Sequence, residues 1–301
     1  MANLDHVLLF HQARQAIDQD IAQRTKIHQA TVARIKTAAG VLRAAGAPAA
    51  PTTPLAMLAH GDSWFDYPLS GNGPSFSDTD IVAQLGSMGN INPVILNVSH
   101  YGDATTEEMS LPKQQRMIAA IQDPSNWLTG MPDAILFSGG GDDIAGNQFC
   151  IFLNYALPGA SGLNPARFDK VLGMIEASYS DLFAFRDRYA PGVPIFGHAY
   201  DFAIPNGAHP LCAGPWLKPS LDYAGWSIAQ GTAIVREALA AFQALLSRLA
   251  GVAANNFILV DTQGTLAPPD WANELHPYPG GFQALAGKFV QALQAKFPGR
   301  I

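Results

Sequence analysis

The sequence predicts an α/β three-layer sandwich with a five-stranded parallel sheet and an N-terminal helical extension. Two observations carry that prediction. Five short runs, 55–60, 93–99, 133–139, 193–199 and 256–262, are nearly continuous in apolar character, as strands covered on both faces must be. Helical patterns at about 106–121, 166–189, 227–250 and 281–295 separate or follow most of them, which is the α/β rhythm.

In chain order, residues 11–44 are rich in Ala, Gln, Ile and Lys, with Ile17, Ile21, Ile35 and Leu42 at near-helical intervals. This is one long amphipathic helix or a helix pair. It serves as core scaffolding or as a partner surface, self-association included. The connector "AAGAPAAPTTP" cannot continue a helix. The expected division is therefore a helical extension with its linker over 1–53 and a catalytic unit over 54–301. Two long irregular stretches, "NQFCIFLNYALPGASGLNP" and "DFAIPNGAHPLCAGPWLKPSLDYAGW", follow the third and fourth runs. Open α/β sheets build their sites at these carboxyl ends, so both stretches are read as pocket walls or packed surface loops.

Bulk properties exclude several classes. Eighteen Lys and Arg against 24 Asp and Glu leave a formal charge of −6, with no electrostatic reason to expect nucleic acid or an anionic membrane. No apolar window is long enough to span a bilayer. The start "MANLDHVLLFHQ" has no basic segment before its apolar burst and no small-residue cleavage site, so the chain reads as cytoplasmic. Cys150 and Cys212 lack zinc-finger spacing; they are inert thiols or a single disulfide.

The chemistry residues gather where the runs end. Ser63 follows the first run in "HGDSW". Alone it is a helix cap as readily as a nucleophile, since a nucleophile needs a base and oxyanion donors. Gly102 follows the second run in "NVSHYGDAT", "SGGGDDIAG" follows the third, and His276 stands in "NELH" after the fifth. The glycine string is no dinucleotide fingerprint, because Ile144 occupies its third glycine position.

Together these four places resemble the SGNH/GDSL hydrolase family over about residues 54–296, through "GDSW", "NVSHYGDAT", "GGDD" and "NELH". The resemblance implies a flavodoxin-like parallel sheet and a serine ester hydrolase working through an acyl-enzyme without metal or organic cofactor. Ser63 is then the nucleophile and His276 the general base, with the N–H groups of Ser63 and Gly102 as oxyanion donors. It also admits O-acyl transfer to an alcohol, or a binding module that has lost turnover. Two positions depart from the family pattern. Asp142 stands where an asparagine donor is expected, and Asn273 where the triad acid is expected, so Asp270, Glu274, Asn273, a backbone carbonyl or a more distant acid are the candidate orienters of His276. An ionised Asp142 repels an oxyanion. Two outcomes are open: Asp142 stays protonated beside Asp143 and donates to the oxyanion, or it is ionised and turned away, leaving the backbone donors or Asn147 to hold the charge.

Trp64, Phe65, Tyr67, Trp216 and Trp271, with Trp226, form a candidate pocket for an apolar acyl group or a sugar face. The expected partners are small-molecule, lipid or acylated-carbohydrate esters. A divalent metal held by His60, His100, His198, Asp62, Asp142 and Asp143 is the competing chemistry.

Overall fold

The computed structural model describes residues 2–44, 53–69, 79–208 and 214–301. In order they form α1 (Ala2–Ala44), β1 (Ala56–Gly61), α2 (Ile81–Leu85), β2 (Val94–Asn97), α3 (Thr105–Glu108), α4 (Leu111–Gln122) and β3 (Ala134–Ser138). Then come α5 (Gly141–Ile144), α6 (Pro165–Tyr189), β4 (Ile195–His198), α7 (Lys218–Ala224), α8 (Ile228–Ala250), β5 (Phe257–Val260) and α9 (Pro279–Lys296). Each of the five apolar runs holds a strand. The linker over 45–52 and Cys212 lie outside the described residues, so the pairing of the cysteines is not addressed.

All five strands are parallel, in the flavodoxin-like order β2-β1-β3-β4-β5. In register, Leu58 lies between Leu96 and Ile135, and Ile195 between Ile135 and Phe257. α2 and α9 pack together under one face, where Phe65, His198 and Phe289 form a ring cluster. α4, α6 and α8 cover the other, where Tyr179 sets its ring edge-on to Phe137 and Phe257. The chain runs from β1 to β2 on one side and returns to β3 on the other. The crevice between the carboxyl ends of β1 and β3 is therefore the topological switch point, the place such sheets reserve for ligands.

Two local features position that crevice. A Cβ on Gly61 would lie 2.3 Å from the Ser138 carbonyl oxygen, and its φ is +155°. Only glycine lets β1 press so closely on β3, where the Asp62 N–H donates to Ser138 O at 3.0 Å. The pattern expected as one helix over 106–121 is two helices. Pro112 sits in the first turn of α4, and its ring forbids a continuous helix through the Glu108 carbonyl four residues back. That carbonyl accepts instead from His60 Nε2 at 2.9 Å.

α1 is one continuous helix whose middle turns lie against β2, burying Ile21, His28 and Val32. His28 Nε2 donates to Asn126 O at 2.7 Å and Arg24 to Asp66 Oδ1 at 2.7 Å, which ties the helix to both flanks of the edge strand. Among the described residues no helix is long and apolar enough to cross a membrane.

Candidate active site

The turn after β1 decides the role of Ser63. The Asp62 carbonyl accepts from Phe65 N and Asp66 N at 3.1 and 3.0 Å, and Asp62 Oδ1 accepts from Trp64 N at 3.0 Å. Asp62, not Ser63, therefore caps the turn. The Ser63 N–H has no protein acceptor among the described residues, and Ser63 Oγ lies 2.7 Å from His276 Nε2. The helix-cap alternative is excluded by this arrangement.

The loop bearing His276 is wound around Asn273. Its Oδ1 accepts from the backbone N–H groups of Leu275 and His276 at 2.9 and 2.8 Å. Those two donors fix the orientation of the amide, because the reversed form would set NH₂ against them. The same oxygen lies 3.2 Å from His276 Nδ1, so Nδ1 carries the proton and Nε2 offers its lone pair to the Ser63 hydroxyl. Burial lowers the His276 pKa to about 3, which leaves the ring neutral and able to accept a proton.

Asp270 and Glu274, the two carboxylates proposed as orienters, are engaged elsewhere. Asp270 Oδ2 accepts from Ala267 N at 2.7 Å within its own turn. Glu274 is fully buried and accepts from four backbone N–H groups, those of Gly207, Trp216, Leu217 and Lys218, at 2.6–3.0 Å. It clamps the loop after β4 onto the histidine loop. Glu274→Ala leaves those four amides without their acceptor, at about 1–3 kcal/mol for each that stays buried. The expected result is a loss of at least about 3 kcal/mol in urea unfolding, and a loss below about 1 kcal/mol would contradict the clamp.

The aromatic set divides. Trp64 lines the cleft and donates to Leu275 O at 3.1 Å. Tyr67 and Trp216 flank His276 with ring centroids at 4.4 and 5.6 Å. Phe65 faces the opposite way, stacked on His198 in the core, because successive residues of the turn diverge. Trp271 backs Trp64 from behind and is not a cleft wall. Trp226 fastens Asn154 O at 2.8 Å, within the loop region.

Under the serine lies a buried polar network. Asp62 accepts from Ser138 Oγ at 2.7 Å and from the Tyr200 hydroxyl. Ser138 Oγ in turn accepts from His198 Nε2 at 2.9 Å, while His198 Nδ1 accepts from Tyr200 N at 3.2 Å. Every polar atom here is matched only if His198 is neutral, and burial lowers its pKa to about 3. Burial pushes the Asp62 pKa up to about 6.

Asp143 accepts from both the N–H and the hydroxyl of Thr105 at 2.8 Å, tying the loop after β3 to the one after β2. The latter carries Gly102, which is exposed, at φ +78° and outside the cleft lining, with an N–H that meets no acceptor among the described residues. Asp142 is among the residues of the cleft wall with Ser63 and His276, and its Oδ2 is buried with no partner among the described residues. Asn147 is not among the cleft residues.

The metal reading fails on geometry. His60 and His198 are committed to Glu108 O and Ser138 Oγ, and His100 stacks on Tyr101. Among the described residues no three His, Cys, Asp or Glu side chains are grouped to hold an ion.

Glu108 sits beside this network, fully buried, with neither carboxyl oxygen partnered among the described residues. Burial, with Asp62 and Asp143 nearby, holds its pKa well above the ordinary range. Below the unfolded value both states are protonated. As pH rises past it the unfolded chain ionises first, so this group's contribution falls until the folded pKa is reached. Glu108→Gln removes that slope. Its stability relative to wild type should climb by about 1.4 kcal/mol per pH unit above roughly pH 4.5. Urea titrations at several pH values read this, and a constant difference would contradict it.

The cleft over Ser63 and His276 is narrow, with a cavity volume of about 40 Å³. Ile144 and Phe149 from the segment after β3, Leu217, and Val235, Ala238 and Leu239 of α8 give it an apolar wall.

No family model matches this chain, and no curated protein sequence matches it. Similar solved structures include an extracellular lipase from Streptomyces rimosus, with a TM-score of 0.48 and 18% identity over 78% of this chain and 98% of that one. Phospholipase A1 from Streptomyces albidoflavus gives a TM-score of 0.45 and 16% identity over 81% and 100%. An active-site mutant of a family two carbohydrate esterase from Clostridium thermocellum gives 0.45 and 14% over 83% and 66%.

Proposed function

We propose that this chain is a serine ester hydrolase of the SGNH type acting through an acyl-enzyme. The observation that carries the reading is the 2.7 Å contact between Ser63 Oγ and His276 Nε2, with the tautomer set by Asn273. In the first half-reaction the Ser63 oxygen bonds to the ester carbonyl carbon while its proton passes to Nε2. The carbonyl electron pair moves onto oxygen, where the unengaged N–H groups of Ser63 and Gly102 are the backbone donors. Collapse expels the alcohol, which takes the proton from Nε2. Water then repeats the sequence on the acyl-enzyme.

The apolar wall of α8 and the segment after β3 favours an alkyl acyl group over a sugar face. A panel of p-nitrophenyl esters of increasing chain length, with fluorophosphonate labelling, tests both parts. Labelling at Ser63 with turnover of short- and medium-chain esters is expected. Absence of labelling and of turnover on every ester would defeat the enzyme reading in favour of a binding module.

A further inference from the structure

Resting on the serine-hydrolase reading, we infer that the enzyme is selective for acetyl and propionyl esters, and that Val235, Ala238 and Leu239 of α8 are the stop that sets this limit. The cavity over Ser63 and His276 measures about 40 Å³. One water takes up ~10–15 Å³ of such space, so there is room for about three groups of water or methyl size. The carbonyl oxygen of an ester and the first carbons beyond its carbonyl fill it. The two sides of the ester are told apart by the proton. The leaving alcohol takes it from His276 Nε2, so the alcohol lies on the histidine side, next to Leu275 and the Trp64 indole that donates to the Leu275 carbonyl. The acyl chain is left with the apolar end, where Phe149, Leu217 and the three α8 side chains line the cleft.

That end is closed and stiff. Val235, Ala238 and Leu239 stand at i, i+3 and i+4, on one face of α8, and are only 3%, 1% and 7% exposed. Phe149 is fully buried as well. A longer chain that passes them enters packed core and not solvent. The helix is also held in place on both sides of the three residues. A Cβ on Gly162 would lie 2.2 Å from Ile234, and one on Gly140 2.5 Å from the Phe242 ring, so the segments there touch α8 directly. Between them Leu239 O accepts from Gln263 Nε2 at 2.9 Å, and the same nitrogen donates to Ala199 O beyond β4 at 3.2 Å. Drawing α8 back would open all of these contacts. Such a wall selects by size. A methylene that does not fit a hydrophobic pocket changes kcat/KM by about 10–200-fold, whereas an open apolar groove would accept any chain length.

The test is kcat/KM for the p-nitrophenyl esters of acetate, propionate, butyrate, hexanoate and octanoate in wild type, Val235→Ala, Leu239→Ala and Ala238→Val, with the rate of Ser63→Ala subtracted as background. In wild type, acetate and propionate should exceed octanoate by at least about 10²-fold, with octanoate still turned over. The two truncations lengthen the slot and should raise the hexanoate-to-acetate ratio by at least about tenfold. Ala238→Val shortens it and should lower the butyrate-to-acetate ratio by a similar factor. Each ratio is taken within one protein, so partial unfolding of a variant lowers both rates alike and leaves the ratio unchanged. Octanoate within threefold of acetate in wild type, or all three variants holding their ratios within threefold of wild type, overturns the inference. Fluorophosphonate labelling of Ser63 separates the two levels. Labelled, active wild type with either of those outcomes sinks the acyl limit alone, whereas unlabelled wild type without turnover on any ester sinks the hydrolase reading itself.

Discussion

Ser63→Ala is expected to lower ester turnover by roughly 10⁴-fold or more, the scale on which loss of a serine nucleophile is felt. The variant should also fail to take a fluorophosphonate label. Its fold should be nearly unaffected. The Ser63 hydroxyl makes a single hydrogen bond, to His276, and the turn is capped by Asp62. Removing the hydroxyl leaves one acceptor nitrogen unpaired, a cost of about 1 kcal/mol. His276→Ala should fall to a similar level, and the double variant hardly further, because the two act as one unit. Near-wild-type turnover in Ser63→Ala would mean that water is activated directly, and the acyl-enzyme would have to be abandoned.

The strands were legible in the sequence because a strand buried on both faces has no polar residue to interrupt it. Their ends were not, since "PVILNVS" and "NFILVDT" run on into loops of similar composition. α2, α5 and α7 are too short to display a helical period. At the site, strand-end position together with the motif resemblance singles out Ser63 and His276. Charge and proximity along the chain leave Asp270, Glu274 and Asn273 all open as the orienter. What decides is which acceptors are already occupied. Glu274 is saturated by four amides and Asp270 by its own turn, which leaves the neutral Asn273 facing the ring. The ionisation of Asp142 is set by burial and by Asp62, Asp143 and Glu107, and adjacency in sequence does not reveal that Asp62 and Glu107 converge on it from the ends of β1 and β2.

Asn273→Ala is expected to lower kcat/KM by about 10² or more, short of the 10⁴ lost when a triad carboxylate is compromised, because a neutral amide orients the imidazole without offsetting its charge. The same substitution removes the acceptor for Leu275 N and His276 N, so part of the loss comes from a misplaced ring. Asn273→Asp separates the two contributions. A carboxylate accepts from the same three N–H groups, and the Tyr67 hydroxyl, now 3.3 Å from Asn273 Nδ2, can rotate to donate to it. The ring stays in place while the charge beside it changes. In wild type, burial holds the His276 pKa to about 3, so the acid limb of kcat/KM should lie below pH 5, where an unperturbed histidine would place it near 6.5. A buried carboxylate against Nδ1 favours the imidazolium and should move that limb upward by a unit or more. Above the limb, Asn273→Asp should match or exceed wild type, since the developing imidazolium gains a counter-charge. If instead Asn273→Ala stays within threefold of wild type, Asn273 is not the orienter. An aspartate variant whose acid limb does not move would show that position 273 does not sense the charge on the ring.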